Sequence, residues 1–157
     1  MLRREIVAKA ILKRINKSYE REICISDEEA EKILGCWMLK PSLVVNELKD
    51  TIEVNGSFNV NSWVGIDDLS STKCVIEKVE FSDTLKRPVI DSEVDEVKSY
   101  YNLKPKCDRV WIIDHVLHFF VQYSIVIEWI GDTKMYVEVV DDEIDQVVDV
   151  AINEDYI

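Results

Sequence analysis

The sequence predicts a mainly β chain, an antiparallel β-sandwich or barrel-like domain preceded by an N-terminal amphipathic helix. Three patterns carry that expectation. Residues 51–81 read as two extended runs around the polar turn IDDLSS. Residues 117–129 hold Leu117, Phe119, Val121, Tyr123, Ile125, Ile127 and Trp129 at alternate positions without a break. Residues 2–16 instead carry apolar side chains at spacings of three and four, the helical period. The expected organisation is a basic helix over residues 1–18, an antiparallel β domain over 19–140 and an acidic C-terminal tail over 141–157.

In the opening segment Leu2, Ile6, Ala10 and Ile11 form the apolar stripe, and Arg3, Arg4, Lys9, Lys13 and Arg14 the opposite face. Docking onto the protein's own sheet is favoured over a membrane surface, because no Trp or Phe anchors the stripe. Residues 19–25 suit a short strand. Ser26 with Glu29 three residues on is a helix-start signature. ILGCWML, residues 33–39, reads as a buried strand that Pro41 ends.

Within the hairpin, Ile52, Val54, Phe58 and Val60 alternate with Glu53, Asn55, Ser57, Asn59 and Asn61, which gives one buried and one polar face. Gly56 interrupts the apolar phase, as at a bulge or a close backbone approach. The return run sets Val75, Val79 and Phe81 against Lys78 and Glu80, with Cys74 and Ile76 breaking the alternation. Residues 83–99 are charged, and Pro88 excludes an inner strand there. Pro105 restarts the chain and residues 109–114 form another strand. After the long strand at 117–129, GDTK at 131–134 reads as a turn and MYVEVV as its antiparallel return. Six to eight strands are expected.

Composition narrows the function. The 157 residues are the length of one domain and carry a formal net charge of −12 with a pI near 4.6. That charge argues against nucleic-acid binding, whose footprint is basic. Apolar runs fall far short of the ~20 residues a membrane helix needs. Lys9, Lys13 and Arg14 interrupt the apolar start, so no signal peptide is expected and the protein is expected to be kept in the cytoplasm. Charge is unevenly spread: the start is basic, and no Lys or Arg follows Lys134. Two contact surfaces follow as candidates, Arg3, Arg4, Lys13 and Arg14 at one end and Asp141, Asp142, Glu143 and Asp145 at the other.

Cys24, Cys36, Cys74 and Cys107 are widely spaced and make no Cys-x-x-Cys pair, so they read as reduced, buried small hydrophobes, with late cross-linking in an assembled, oxidising structure as the lesser alternative. His115 and His118 stand three apart in a strand region, on opposite faces, a poor arrangement for a shared metal. No phosphate loop, nucleophile elbow or zincin helix occurs. No enzyme, cofactor or metal site is expected. Trp37, Trp63, Trp111 and Trp129 lie in predicted strands, where core packing is the ordinary role. Trp63 differs: it sits in phase with the polar face of its strand, so a partner subunit, a second sheet or the N-terminal helix is expected to cover it.

One resemblance runs along the chain. REIVAKAI, ILGCWML, VNGSFNVNSW, STKCVIEKVEFSDTL, the KPKC segment at 104–107 and YSIVIEWIGDTKMYVEV followed by acids stand in the order seen in the spore-coat morphogenetic protein E (CotE) family. The chain resembles that family from about Arg3 to Asp145, with residues 83–103 matching least and a tail that carries Val147, Val148, Val150 and Ile152 among its acids. The resemblance implies a non-enzymatic scaffold made in the mother-cell cytoplasm and placed on the forespore surface as part of the spore coat. It would self-associate and link the coat base layer to outer coat proteins. A homo-oligomer, a trimer among the options, is the expected assembly. The contrasting expectation is a carbohydrate- or ligand-binding β-sandwich that uses Trp63 or Trp129.

Overall fold

Six strands build the chain in the computed structural model, which describes residues 2–139: β1 (Leu2–Ser26), β2 (Lys32–Glu47), β3 (Thr51–Ile66), β4 (Ser71–Lys86), β5 (Glu96–Ile113) and β6 (Val116–Val139). They form two antiparallel sheets of three, in the orders β1-β6-β5 and β2-β3-β4. The second sheet is a meander. The chain enters it after β1 and leaves it through residues 87–95.

The β3–β4 hairpin follows the sequence pattern closely. Ile66 pairs with Ser71 and Thr51 with Lys86, in unbroken register. Ile52, Val54, Phe58, Val60 and Val64 face inward and are buried. Asp67, Asp68 and Leu69 turn the chain in the left-handed region, which Asp tolerates better than most residues. Gly56 is a close approach: a Cβ there would collide with the ring of Phe81, its cross-strand neighbour. β5 and β6 join through Asp114 and His115, both at positive φ (50° and 61°), the backbone of a two-residue type I′ hairpin.

Chain contacts divide the molecule into two compact units. One comprises residues 16–87 and 99–126 and holds a sandwich core. Phe58, Val60 and Val64 of β3 pack there with Leu117, Phe119, Val121 and Tyr123 of β6, together with Ile23, Ile25, Ala30 and Val79. At its centre Tyr19, Phe58, Phe81, Tyr101 and Tyr123 form a ring cluster, one from each strand except β2. β2 joins through its backbone, since the Tyr101 hydroxyl donates to the Ser42 carbonyl at 2.7 Å. The Tyr19 hydroxyl donates to Asp83 at 2.6 Å.

The other unit contains, among the described residues, 2–15, 88–98 and 127–139. Ala8, Ala10, Ile127, Trp129 and Val137 are buried in it. The Asp95 amide donates to the Ile130 carbonyl at 2.8 Å, and Lys9 pairs with Asp95 at 3.3 Å.

Five expectations need correction. No helix occurs among the described residues, and the segment expected as an amphipathic helix is the first half of β1. Its spacing also fits a strand: Ala8, Ala10 and half-buried Leu12 alternate with exposed Val7 and Lys9, and Val7 and Ile11 are β-formers. Ser26 starts no helix. Asp27 Oδ1 instead accepts from the amides of Glu29 and Ala30, which closes the β1–β2 turn. Pro41 does not end β2, because it falls in a register shift between Leu39 and Ser42, with Lys40 at φ 52°. β2 is an edge strand, where a missing amide donor is tolerated. Pro105 lies likewise within edge strand β5. GDTK makes no turn: β6 runs through it, and Gly131 lets the strand pass close to the Glu93 carbonyl.

Candidate functional site

Strand parity assigns every side chain of the β2–β3–β4 sheet to a face. On the outer face the register gives three consecutive rows: Gly35–Trp63–Cys74, Trp37–Asn61–Ile76 and Leu39–Asn59–Lys78. The first two rows hold a large apolar band that nothing covers among the described residues. Trp37 is 51% exposed, Trp63 44% and Ile76 60%. Leu34 and Leu39 are exposed at its margin. Gly35 makes the band flat, since the Trp37 indole occupies the space a side chain there would take. A single-chain fold has no reason to place two indoles and an isoleucine together in water, and contiguous exposed apolar surface marks interaction sites.

Two sequence signals pointed here. Trp63 was expected to be covered by a partner subunit, a second sheet or the N-terminal helix, and the structure places it on the outer face. Cys74 and Ile76, which broke the alternation of the return run, are the β4 edge of the same band. Trp37 was missed because an apolar run such as ILGCWML hides its parity. Asn61 Oδ1, in the middle of the band, is shut off from solvent and has no hydrogen-bond partner among the described residues. Farther along the face, rows of Ser42–Ser57–Glu80 and Val44–Asn55–Ser82 are polar apart from Val44 and line an open hollow of about 440 Å³.

The remaining candidates fare differently. Arg3, Arg4, Lys13 and Arg14 are all exposed on β1. Successive strand residues point to opposite sides, so Arg3 cannot share a face with Arg4, nor Lys13 with Arg14. The single basic face expected of a helix is thereby split. Asp141, Asp142, Glu143 and Asp145 lie outside the described residues. Trp129 is 1% exposed and offers no surface to a ligand.

The cysteines are free and fall into two kinds. Burial pushes the Cys36 thiol up to about 12, with Cys107 beside it adding to the shift. Burial also raises Cys107. These two belong to the core margin. Cys24 and Cys74 are exposed, which corrects the expectation that all four are buried: their strand parity puts both on outward faces. Cys24 lies 3.4 Å from Nδ1 of His118, which is 3.0 Å from Glu22, and the imidazole stacks on Trp111 with centroids 5.1 Å apart. His115 is separate: its Nδ1 donates to the Ala30 carbonyl at 2.9 Å and ties the β5–β6 turn to the β1–β2 turn. No local spacing announced the Cys24–His118 meeting, because it depends on β1 and β6 being neighbours in one sheet.

The family model described as outer spore coat protein E (CotE) matches residues 2–156, nearly the whole chain. No curated protein and no solved structure matches it.

Proposed function

The chain belongs to the outer spore coat protein E (CotE) family, and from that membership we propose a non-enzymatic scaffold of the endospore coat that self-associates and recruits outer coat proteins onto the base layer. Membership itself implies a spore coat role. Synthesis in the mother-cell cytoplasm, self-association and recruitment are the added steps.

The observation that carries self-association is the Trp37–Trp63–Ile76 band on the three-stranded β2-β3-β4 sheet. A second copy is the occupant that fits best. An apolar, nearly flat face can meet its own symmetry mate without placing charge against charge, and homomeric contacts are mostly closed and symmetric. Indoles that leave water at such a contact supply the anchoring area typical of interfaces. Recruitment is assigned to Asp141, Asp142, Glu143 and Asp145, whose charge suits Lys/Arg-rich partners.

The test is the mass of the purified protein by light scattering over a concentration and salt series. A defined oligomer that persists at high salt supports the apolar interface, because charge pairs are screened beyond about 3 Å at 1 M salt. A monomer at tens of micromolar sinks it.

The second reading, a carbohydrate-binding sandwich, is favoured by one feature: Trp37 and Trp63 flank the amide of Asn61, a stacking surface beside a polar group. A saturable change in tryptophan fluorescence with a glycan, lost in Trp63→Ala, would establish it.

A further inference from the structure

Glu22 and Cys24 stand two residues apart on β1, so both project from the same side of the strand. His118 reaches them from β6, the neighbouring strand of the same sheet. Cys24 Sγ is 3.4 Å from His118 Nδ1 and 4.0 Å from Glu22 Oε1, and His118 Nδ1 is 3.0 Å from that same Oε1. Three atoms that carry lone pairs thus face one small space.

Hydrogen bonding alone serves this arrangement poorly. Nδ1 holds at most one proton, yet both a carboxylate oxygen and a sulfur point at it. If Nδ1 donates to Glu22, the thiol is left only a long 4.0 Å hydrogen bond to the same oxygen; if the thiol donates to Nδ1, the carboxylate faces a bare nitrogen. A cation in the gap satisfies all three at once.

The dimensions agree. The point equidistant from the three atoms lies about 2 Å from each, within reach of the roughly 2.0–2.3 Å bonds that zinc makes to oxygen, nitrogen and sulfur. The Glu22 carboxylate is half exposed and free to adjust by a few tenths of an ångström toward tetrahedral spacing. The imidazole is held more firmly. His118 is largely covered, and its ring lies nearly parallel to Trp111 of β5, at 5°. Ligands carried on strands rather than loops keep their geometry.

We propose that Glu22, Cys24 and His118 bind a divalent transition-metal ion of the zinc class, with a fourth position open to solvent. The ligand set selects the metal. A thiolate, an imidazole and one carboxylate suit zinc, whereas calcium and magnesium take oxygen ligands only. Binding releases the Cys24 thiol proton, and the thiolate and carboxylate then balance the charge of the ion. The site lies on the β1-β6-β5 sheet and does not depend on the apolar band of the other sheet, so it stands or falls separately from self-association.

Cobalt(II) is the probe, titrated into the reduced full-length protein. Thiolate ligation gives a sulfur-to-cobalt charge-transfer absorption that carboxylates alone cannot produce, which separates this site from binding by the many acids. We expect that band in the parent protein, its loss in Cys24→Ser and its retention in Cys74→Ser. Glu22→Gln and His118→Ala should each weaken cobalt binding at least tenfold, and stoichiometric zinc should displace the band. Circular dichroism of each metal-free variant checks that the sheet is intact, and Cys24→Ser and Glu22→Gln alter only exposed side chains. Cobalt uptake without the band, a band that survives Cys24→Ser, or one that Cys74→Ser removes would overturn the proposal.

Discussion

Tyr19 shows how much of the fold rests on single side chains. Its ring stacks on Tyr123 at 5.2 Å, and its hydroxyl, 2.6 Å from Asp83, ties β1 to β4. Burial first, and then the Asp83 carboxylate, raise its pKa, so the phenol stays a donor at every physiological pH. Tyr19→Phe keeps the ring and removes the bond to a charged acceptor, which should cost about 1.5–3 kcal/mol, read from a lower urea midpoint at unchanged slope. The thiols offer a second check at this scale. Cys36, pushed up to about 12, holds almost no thiolate at pH 8, and Cys107 is half-buried beside it. Brief alkylation of the native protein should modify exposed Cys24 and Cys74 first, and reach Cys36 and Cys107 only after unfolding, as mass spectrometry will show. Such roles were partly legible in the sequence. The polar phase of Trp63 was visible because parity is a local property. The Tyr19 contact was not, because it joins residues 64 apart whose approach depends on how the sheets stack.

Strands and turns show where local pattern suffices. The β3–β4 hairpin was readable because alternation and a turn cluster occur together within one stretch. β1 was misread because its apolar spacing satisfies two periods, and only its place at the edge of the β1-β6-β5 sheet decides between them. Gly131 illustrates the same limit. Gly-Asp suggests a turn, yet the glycine is there to let β6 pass the Glu93 carbonyl and Leu12. Gly131→Val should therefore destabilise by about 1–3 kcal/mol, because backbone cannot yield as a flexible side chain does, and thermal unfolding will register it. The β1–β2 turn carries a pH dependence. Burial tends to raise the Asp27 carboxyl, but Lys73 at 2.9 Å and the amides of Glu29 and Ala30 outweigh it and hold the group below its ordinary 3.8. A group lowered on folding lends stability in full above its unfolded value and loses it as pH falls through the folded one. Stability should thus drop below about pH 4, and the part due to this turn should be absent in Asp27→Asn, as denaturation curves across pH 2–6 would reveal.

At the scale of the molecule, the outward face of the β2-β3-β4 sheet makes the scaffold reading testable. The β2-β3-β4 sheet shows an apolar band, whereas the chain as a whole is acidic, with a net charge of −12. If assembly used charge pairs between the basic start of one copy and the acidic residues of another, salt would weaken it by screening them. If assembly uses the band, the oligomer should be nearly indifferent to salt and sensitive to Trp37 and Trp63. Trp37→Ser/Trp63→Ser should then yield a folded monomer, since both side chains face outward and their loss leaves the Phe58–Tyr123 core untouched. Removing residues 141–157 should do the converse: the oligomer is kept and capture of Lys/Arg-rich coat partners is lost. Scattering mass and partner pull-down on the two variants separate the functions. A double variant that remains an oligomer moves the interface off this face, and a truncated chain that still captures every partner takes recruitment away from the acidic residues.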